Sequence, residues 1–456
     1  MSATIFSGLK KNSENASKEI MKTVYAVIDD KSFIETDRFI SEVTDLGEAV
    51  GEGVVSGFAH ISEMRVAMFV TNHAVLKGSI GKTNAKKIVR LIHTAIECDL
   101  PVIGILDTEG ARFSEGIEAM EGYADIYGAL CDAYGNVPTV IAVKGANFGL
   151  SSYFCAVADL SVAYLNAQIA TSSPLLLSAD TKEDAAKVCT GAKLSESSDI
   201  ITNVVKSDAE LKATLTDFLS LIQQPYSDGE DDPNRTAKAA ELKTPDNIIK
   251  AIFDKNSVFM LRANYALEVK TGFARLNGDS VGFVLVDGKL SIEGAGKITE
   301  LLNTCESFSI PVVNLVNCDG VDTNLSKDGK VIRAVSDMIF TYRNMSAPKV
   351  ALVYGRAVSV GYTAFVSKCV ANYSIAWDKA QIGVTTDENA ARLLYKEEIA
   401  KAPDKDKAVA KLAKAYGEEN TSAPAVSKKG YLDNVIEPAL SRPYLIAALE
   451  IFTGKE

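Results

Sequence analysis

The sequence predicts an α/β protein built twice from one unit. Three observations carry this. Apolar strand-like runs alternate with helix-like stretches, proline or glycine stands at the junctions, and the pattern returns about 210 residues later. Ala85–Ala111, AKKIVRLIHTAIECDLPVIGILDTEGA, aligns without a gap on Ala295–Val321, AGKITELLNTCESFSIPVVNLVNCDGV, at an offset of 210. Ala85/Ala295, Lys87/Lys297, Leu91/Leu301, Pro101/Pro311 and Gly110/Gly320 are identical pairs. Val137–Gly149 faces Ala347–Ser359 at the same offset. Ala167–Pro174 faces Ala380–Asp387 at 213, and Ser56–Val70 faces Thr271–Leu285 at 215. Small changes of offset are what loop insertions produce, and the period is far too long for a solenoid, so two duplicated domains result. The expected boundaries are a first domain over 1–225, a linker or crossing segment over 226–250, and a second domain over 251–456.

Within the first unit, Val54–Ala59 and Arg65–Thr71 read as an antiparallel hairpin. Lys82–Glu97 places Ile88, Leu91, Ile92 and Ala95 at helical spacing. Pro101 then opens the buried-strand run Val102–Leu106, followed by the turn Asp107–Ala111. A second helix, proline and strand end at Val143, before the loop Lys144–Gly149 and a helical run over Leu150–Ala158. Between the repeats, Pro225–Arg235 is polar, acidic and bounded by prolines. Lys396–Lys414 is charged and alanine-rich, the pattern of an exposed helical hairpin.

Composition is that of a globular protein, with 47% apolar residues, enough for sizeable cores. A formal charge of −11 argues against nucleic-acid binding. Seven scattered cysteines with no CxxC pair read as reduced thiols of a cytoplasmic protein, and three dispersed histidines make no metal site. No run reaches the ~18 apolar residues of a membrane span.

Each unit carries two strand-to-helix junctions with glycine or small residues. In the first they are Glu109–Arg112 and Gly145–Leu150. Main-chain N–H groups at such junctions are unsatisfied, and two of them aimed at one oxygen make an oxyanion hole. By spacing alone a glycine there is more often just a tight turn.

The run Gly110–Tyr127, GARFSEGIEAMEGYADIY, resembles the Gly-Ala-Arg-x-x-Glu-Gly stretch of biotin-dependent acyl-CoA carboxyltransferases. These are the acyl-CoA carboxylase β subunits and the decarboxylase carboxyltransferase subunits. Lys31–Asp37, Gly51–Gly57, Lys77–Gly81, Thr271–Gly278, Phe308–Val313 and Ala376–Gly383 match the same family in order. The resemblance covers about residues 20 to 395. It implies two tandem ClpP/crotonase-type ββα-superhelix domains, the first binding an acyl-CoA and the second binding biotin carried on a separate protein. It implies a carboxyl transfer of malonyl-, methylmalonyl- or glutaconyl-CoA type. The active site would form between the first half of one subunit and the second half of another. The partner is then a second copy of this chain, in a dimer or higher homo-oligomer up to a hexamer, or a paralogous subunit. It implies no metal, no membrane insertion, and a cytoplasmic place, peripheral to a membrane decarboxylase complex in the decarboxylase case. The biotin ureido group itself would serve as base, so no side-chain general base is needed.

Carried over residue by residue, the first hole falls on Gly110, Ala111, Gly149 and Leu150, and the second on Gly320, Val321, Ser359, Val360 and Gly361. Lys77, Gly78, Ser79, Ile80, Arg112 and Ala146 fall at the CoA-binding positions. The chain departs from the family where two adjacent glycines are usual: it has Gly149-Leu150 and Ser359-Val360. Glu109 and Asp319 also replace the usual glycine and proline before the other loop glycines. No Met-Lys-Met biotinylation site and no P-loop occur. Two alternatives stand beside this reading. One is a CoA hydratase or isomerase using Glu115, Glu118 or Glu121. The other is a non-catalytic subunit that scaffolds an active paralogue.

Overall fold

Two compact units, Met1–Ile222 and Gln223–Glu456, divide the chain. The structure is a computed structural model that describes residues 2–44, 47–173, 176–177, 179, 184–223, 226, 231–238, 241–322 and 326–454. Pro225, just before the expected crossing segment, and residues 227–230 and 239–240 within it lie outside the described residues.

The first unit begins with helix α1 (Ser2–Val27), which buries Val24 and Val27. The strands of its main sheet are β1 (Ile34–Thr36), β2 (Val54–Ile61), β3 (Met64–Thr71), β4 (Val102–Thr108), β5 (Thr139–Phe148), β6 (Leu160–Tyr164), β7 (Gln168–Ala170) and β8 (Asn203–Val205). They run in the order β1-β2-β3-β4-β5-β6-β8, with β7 beside the end of β5. β1, β2 and β3 pair antiparallel, and from β3 onward the pairing is parallel. Helix α2 (Lys82–Glu97) joins β3 to β4, and α3 (Ile117–Ala133) joins β4 to β5. The apolar face anticipated for α2 is buried: Ile88, Ile92 and Ala95 lose all exposure. Asn84 closes its start by accepting from the Gly81 N–H at 2.8 Å.

The second unit repeats this plan. Helix α4 (Pro245–Ile252) begins inside the stretch read as a crossing segment and runs past its end, and its Ile248 and Ile249 enter the core. Strands β9 (Phe259–Leu261), β10 (Val269–Leu276), β11 (Asp279–Leu290), β12 (Val312–Val321), β13 (Lys349–Val358), β14 (Tyr373–Trp377) and β16 (Asn434–Ile436) follow in sheet order, with β15 (Gln381–Gly383) beside the end of β13. Helices α5 (Ile292–Ser307), α6 (Asp328–Asn344) and the short α7 (Val360–Phe365) correspond to the first unit's crossovers. The charged tail forms α8 (Lys396–Lys401) and α9 (Lys405–Tyr416), the hairpin expected there.

Two boundaries differ from expectation for one reason. β5 continues past Val143 to Phe148, because Ala146, Asn147 and Phe148 gain a parallel partner in β7. The helical run expected over Leu150–Ala158 becomes a 3-10 turn, Gly149–Tyr153, and one α-turn, Phe154–Val157. Among the described residues no helix is long and apolar enough to cross a membrane.

Candidate active site

In both units the strand before the first junction bulges at the same place. The β4–β5 register shifts between Leu106 and Thr108, and the β12–β13 register between Val316 and Cys318. A bulge turns one side chain out of the pleat. Here that side chain is Asp107 in the first unit and Asn317 in the second. Asp107 Oδ1 accepts the Ala146 N–H at 2.9 Å, and Asn317 Oδ1 accepts the Arg356 N–H at 2.8 Å. The approach is close enough to require glycine alongside. A Cβ at Gly145 would stand 2.3 Å from Asp107 Oδ1, and one at Gly355 would stand 2.3 Å from Asn317 Oδ1. The two braces hold the junction loops of each unit side by side.

The loops themselves turn through left-handed backbone. Gly110 has φ +109 and Gly149 φ +74; Gly320 has φ +88 and Ser359 φ +55. The expected first-unit residues come together: a Cβ on Gly110 would lie 3.1 Å from Phe148 O, immediately before Gly149. Gly110 O accepts the Ile80 N–H and Ile80 O accepts the Arg112 N–H. The half-buried Ala111 between them pairs with Ile80 through its neighbours' groups and keeps its own N–H out of that ladder. Leu150 is the second residue of the 3-10 turn, in the first turn, where an N–H has no partner within the helix. In the second unit Val360 and Gly361 open α7 in the same way, and a Cβ on Gly361 would stand 2.8 Å from Cys318 Cβ.

The six expected CoA-binding positions divide. Lys77 is exposed, and its ammonium donates to Glu109 at 2.8 Å, with His73 at 3.4 Å from the same carboxylate. The hydrogen bond from the Lys77 ammonium, with the His73 ring beside it, holds the Glu109 carboxyl below its ordinary value. Ser79 is half-buried beside it. The other four have their groups engaged within the unit. Arg112 is 2% exposed, because its guanidinium turns inward to bond Glu52 and Glu115, each at 2.8 Å. Ile80 is fully buried in the core, and a Cβ on Gly78 would stand 2.2 Å from Asp107 O. The Ala146 amide is taken by Asp107. Sequence reasoning missed Asp107 and Asn317; their alignment at offset 210 was the available signal.

Each unit has a cavity against its second loop. The first, about 510 Å3, is walled by Met120, Tyr123, Tyr127, Leu150, Tyr153 and Phe154. The second, about 470 Å3, is lined by Ser359, Tyr362, Val384, Tyr416, Asn420 and Tyr431, among others. Both volumes suit small-molecule ligands, which take roughly 300–1,000 Å3. Among the described residues no hydratase-type carboxylate lines the first cavity. Glu115 is committed to Arg112 and the Lys82 N–H, and Glu118 to the Lys82 ammonium. Among the described residues no cluster of metal-ligating side chains occurs.

A duplicated, mostly parallel sheet with paired amide-bearing loops beside a cavity defines a crotonase-type enzyme of acyl thioesters. The carboxyl transferase domain matches residues 11–456, and the chain belongs to that family. It is a carboxyltransferase acting between an acyl-CoA and biotin. It is 29% identical to the methylmalonyl-CoA decarboxylase subunit alpha of Veillonella parvula, over 94% of this chain and 89% of that protein. It is 28% identical to the propionyl-CoA carboxylase carboxyltransferase subunit of Haloferax mediterranei, over the same shares. Among solved structures, the transcarboxylase 12S hexamer with methylmalonyl-CoA and methylmalonic acid bound superposes with a TM-score of 0.90. That pair is 27% identical, covering 96% of this chain and 89% of the other.

Proposed function

We propose that the first unit holds the acyl-CoA and the second holds biotin carried on a separate protein, with the boundaries near 1–225, 226–250 and 251–456. The observation that carries this is the braced bulge, present in both units and keeping two junction loops together in each. The Ala111 and Leu150 amides receive the thioester oxygen, and Lys77 at the rim receives CoA phosphate. The Val321, Val360 and Gly361 amides receive the ureido oxygen. Bound biotin supplies the ring nitrogen that exchanges a carboxyl group for a proton with the acyl α-carbon. As the Cα–carboxyl bond breaks, electron density moves onto the thioester oxygen, where preformed donors stabilise it without reorganising. The apolar walls of the first cavity exclude water and strengthen those bonds.

The substrate is of the methylmalonyl-CoA and propionyl-CoA type, supported by the relatives' names. The working form is a homo-oligomer, as the 12S protein is a hexamer, with a site shared between the first unit of one copy and the second of another. Phe113 at 90%, Ile117 at 78% and Val384 at 85% exposure support a covering partner. Likeness to a decarboxylase subunit supports a cytoplasmic place beside a membrane decarboxylase.

The test is incubation of the purified chain with methylmalonyl-CoA or malonyl-CoA and free biotin. Loss of the CoA-bound carboxyl group should depend on biotin, and a biotinylated carrier protein should retain the chain on a column. Loss at the same rate without biotin would sink the reading.

A further inference from the structure

We infer that the Ser359 hydroxyl is a ligand-facing hydrogen-bond donor of the second cavity, acting on the same oxygen as the main-chain amides. This rests on the biotin reading above.

Three observations converge on Ser359. The first is conformational. Ser359 has φ +55 and ψ −116, a region that favours glycine, and its counterpart Gly149 has φ +74. A non-glycine residue held there costs about 1–3 kcal/mol. The main chain keeps it in place: its N–H donates to Gly383 O at 2.9 Å, and its carbonyl accepts from Tyr362 at 3.1 Å and Thr363 at 3.2 Å. A glycine would make the same three bonds without strain. The serine side chain must be explained by something else.

The second observation removes the ordinary explanation. Serine at the residue before a helix usually accepts a first-turn N–H. Thr190, Thr244, Ser291, Thr386 and Ser422 each do so in this chain. Ser359, in the corresponding position before α7, does not. Among the described residues its hydroxyl has no hydrogen-bond partner.

The third is position. Ser359 is exposed on the wall of the cavity of about 470 Å3. Its Cβ stands 3.9 Å from where a Cβ on Gly320 would be, so the side chain sits between the two junction loops. Among the described residues, and apart from tyrosines, Lys429 is the one ionisable residue on that wall. A hydroxyl there suits a neutral ring carbonyl whose oxygen gains charge during transfer, as a ureido oxygen does. The glycine usual in the family supplies no such group. Ser359 thus adds a donor at the point where the chain departs from its relatives.

The experiment compares Ser359→Gly and Ser359→Ala in the full chain. Both remove the hydroxyl, but only glycine removes the strain. Free biotin is varied at saturating methylmalonyl-CoA, methylmalonyl-CoA is then varied at fixed biotin, and Tm is read beside the kinetics. Both variants should lose about tenfold in kcat/KM for biotin, with KM for the acyl-CoA unchanged. Only Ser359→Gly should melt at a higher temperature. Wild-type or better biotin kinetics in Ser359→Gly would overturn the inference, leaving serine as a strained substitute for glycine. Failure of the biotin reading itself shows separately, as a wild-type chain that transfers nothing to biotin, and would remove this inference with it.

Discussion

In the first unit a carboxylate, Asp107, braces the Ala146 amide; in the second a carboxamide, Asn317, braces the Arg356 amide. Asn317 also donates through Nδ2 to Asp287 at 2.7 Å, which Asp107 has no donor to imitate. Ahead of the loop glycines, Glu109 pairs with Lys77, whereas Asp319 pairs with Arg356 at 2.8 Å. In each unit an acidic residue before the loop glycine is neutralised by a cation that the unit itself provides. The lesson is that main-chain geometry is what the duplication keeps, while the side chains that hold it have diverged. Differences between the units then show what each position requires.

The largest expected effect comes from removing a brace. Asp107→Ala leaves the Ala146 N–H without its acceptor and frees the second loop to drift. Misplacing one oxyanion donor lowers the rate by about 10²–10³, so kcat/KM for the acyl-CoA should fall by that order. Asp107→Asn keeps the acceptor and should retain most activity, as Asn317 does in its own loop. Asn317→Asp should be worse tolerated, because it places a second carboxylate against Asp287. Steady-state kinetics with each ligand varied in turn reads all three. Equal tolerance of the two reciprocal swaps would break the comparison.

A smaller effect separates the two buried lysines. Lys297 donates to Arg262 O, Tyr265 O and Val269 O at 2.8, 2.7 and 2.6 Å. Lys87, its counterpart, donates to Val54 O at 2.5 Å and Gly51 O at 3.3 Å. Each ties the helix after the hairpin to the loop before it. Lys297→Met should destabilise by about 3 kcal/mol and Lys87→Met by about 2, since buried carbonyls are left unpaired. Urea unfolding gives the order; a larger loss at Lys87 would contradict it. Burial pushes both amines down to about 8 from 10.5. The folded chain therefore binds fewer protons than the unfolded one between those values. This contribution is complete above 10.5 and is lost as pH falls through about 8. Either substitution should flatten that slope.

Much of the fold was legible because it rests on periodicity. Lys82–Glu97 is the helix its apolar spacing predicts, to the residue. The hairpin and the buried strand follow as directly. Helix α1 was not foreseen, although Ile20, Val24 and Val27 stand at helical spacing near its end. The extension of β5 was not foreseen either, since it depends on β7, twenty residues on. The site was legible at its glycines and illegible at its braces. A glycine announces left-handed backbone, but an aspartate in a strand–turn junction does not announce that its side chain turns back to hold a neighbouring loop. Arg112 was equally illegible in its partner: it was placed at a CoA-binding position, and Glu52, sixty residues earlier, holds its guanidinium in the interior.

The smallest effect tests whether a divergence between the units has a direction. Asp159 is buried, and its Oδ2 accepts from both the N–H and the hydroxyl of Thr139 at 2.8 Å. At the matching place in the second unit Asn372 Oδ1 accepts the Lys349 N–H at 2.8 Å. Burial raises the Asp159 carboxyl to about 6 against an ordinary 3.8, so the folded chain holds the proton more tightly than the unfolded chain. The sign follows: its favourable contribution is complete below 3.8 and lost as pH rises through about 6. At pH 7.5 the group is a buried carboxylate with two donors and, among the described residues, no paired cation. Asp159→Asn keeps the acceptor and removes the charge, copying Asn372. It should raise stability by about 1–2 kcal/mol at pH 7.5 and leave it unchanged near pH 4. The reverse substitution, Asn372→Asp, should change stability little at either pH, because Asn372 is exposed and solvent screens the charge. Thermal melts of both variants across pH 4–8 read the pair. A wild-type-like pH profile in Asp159→Asn would mean that Asp159 is charged in the fold at no penalty, and that carboxylate and carboxamide are interchangeable there.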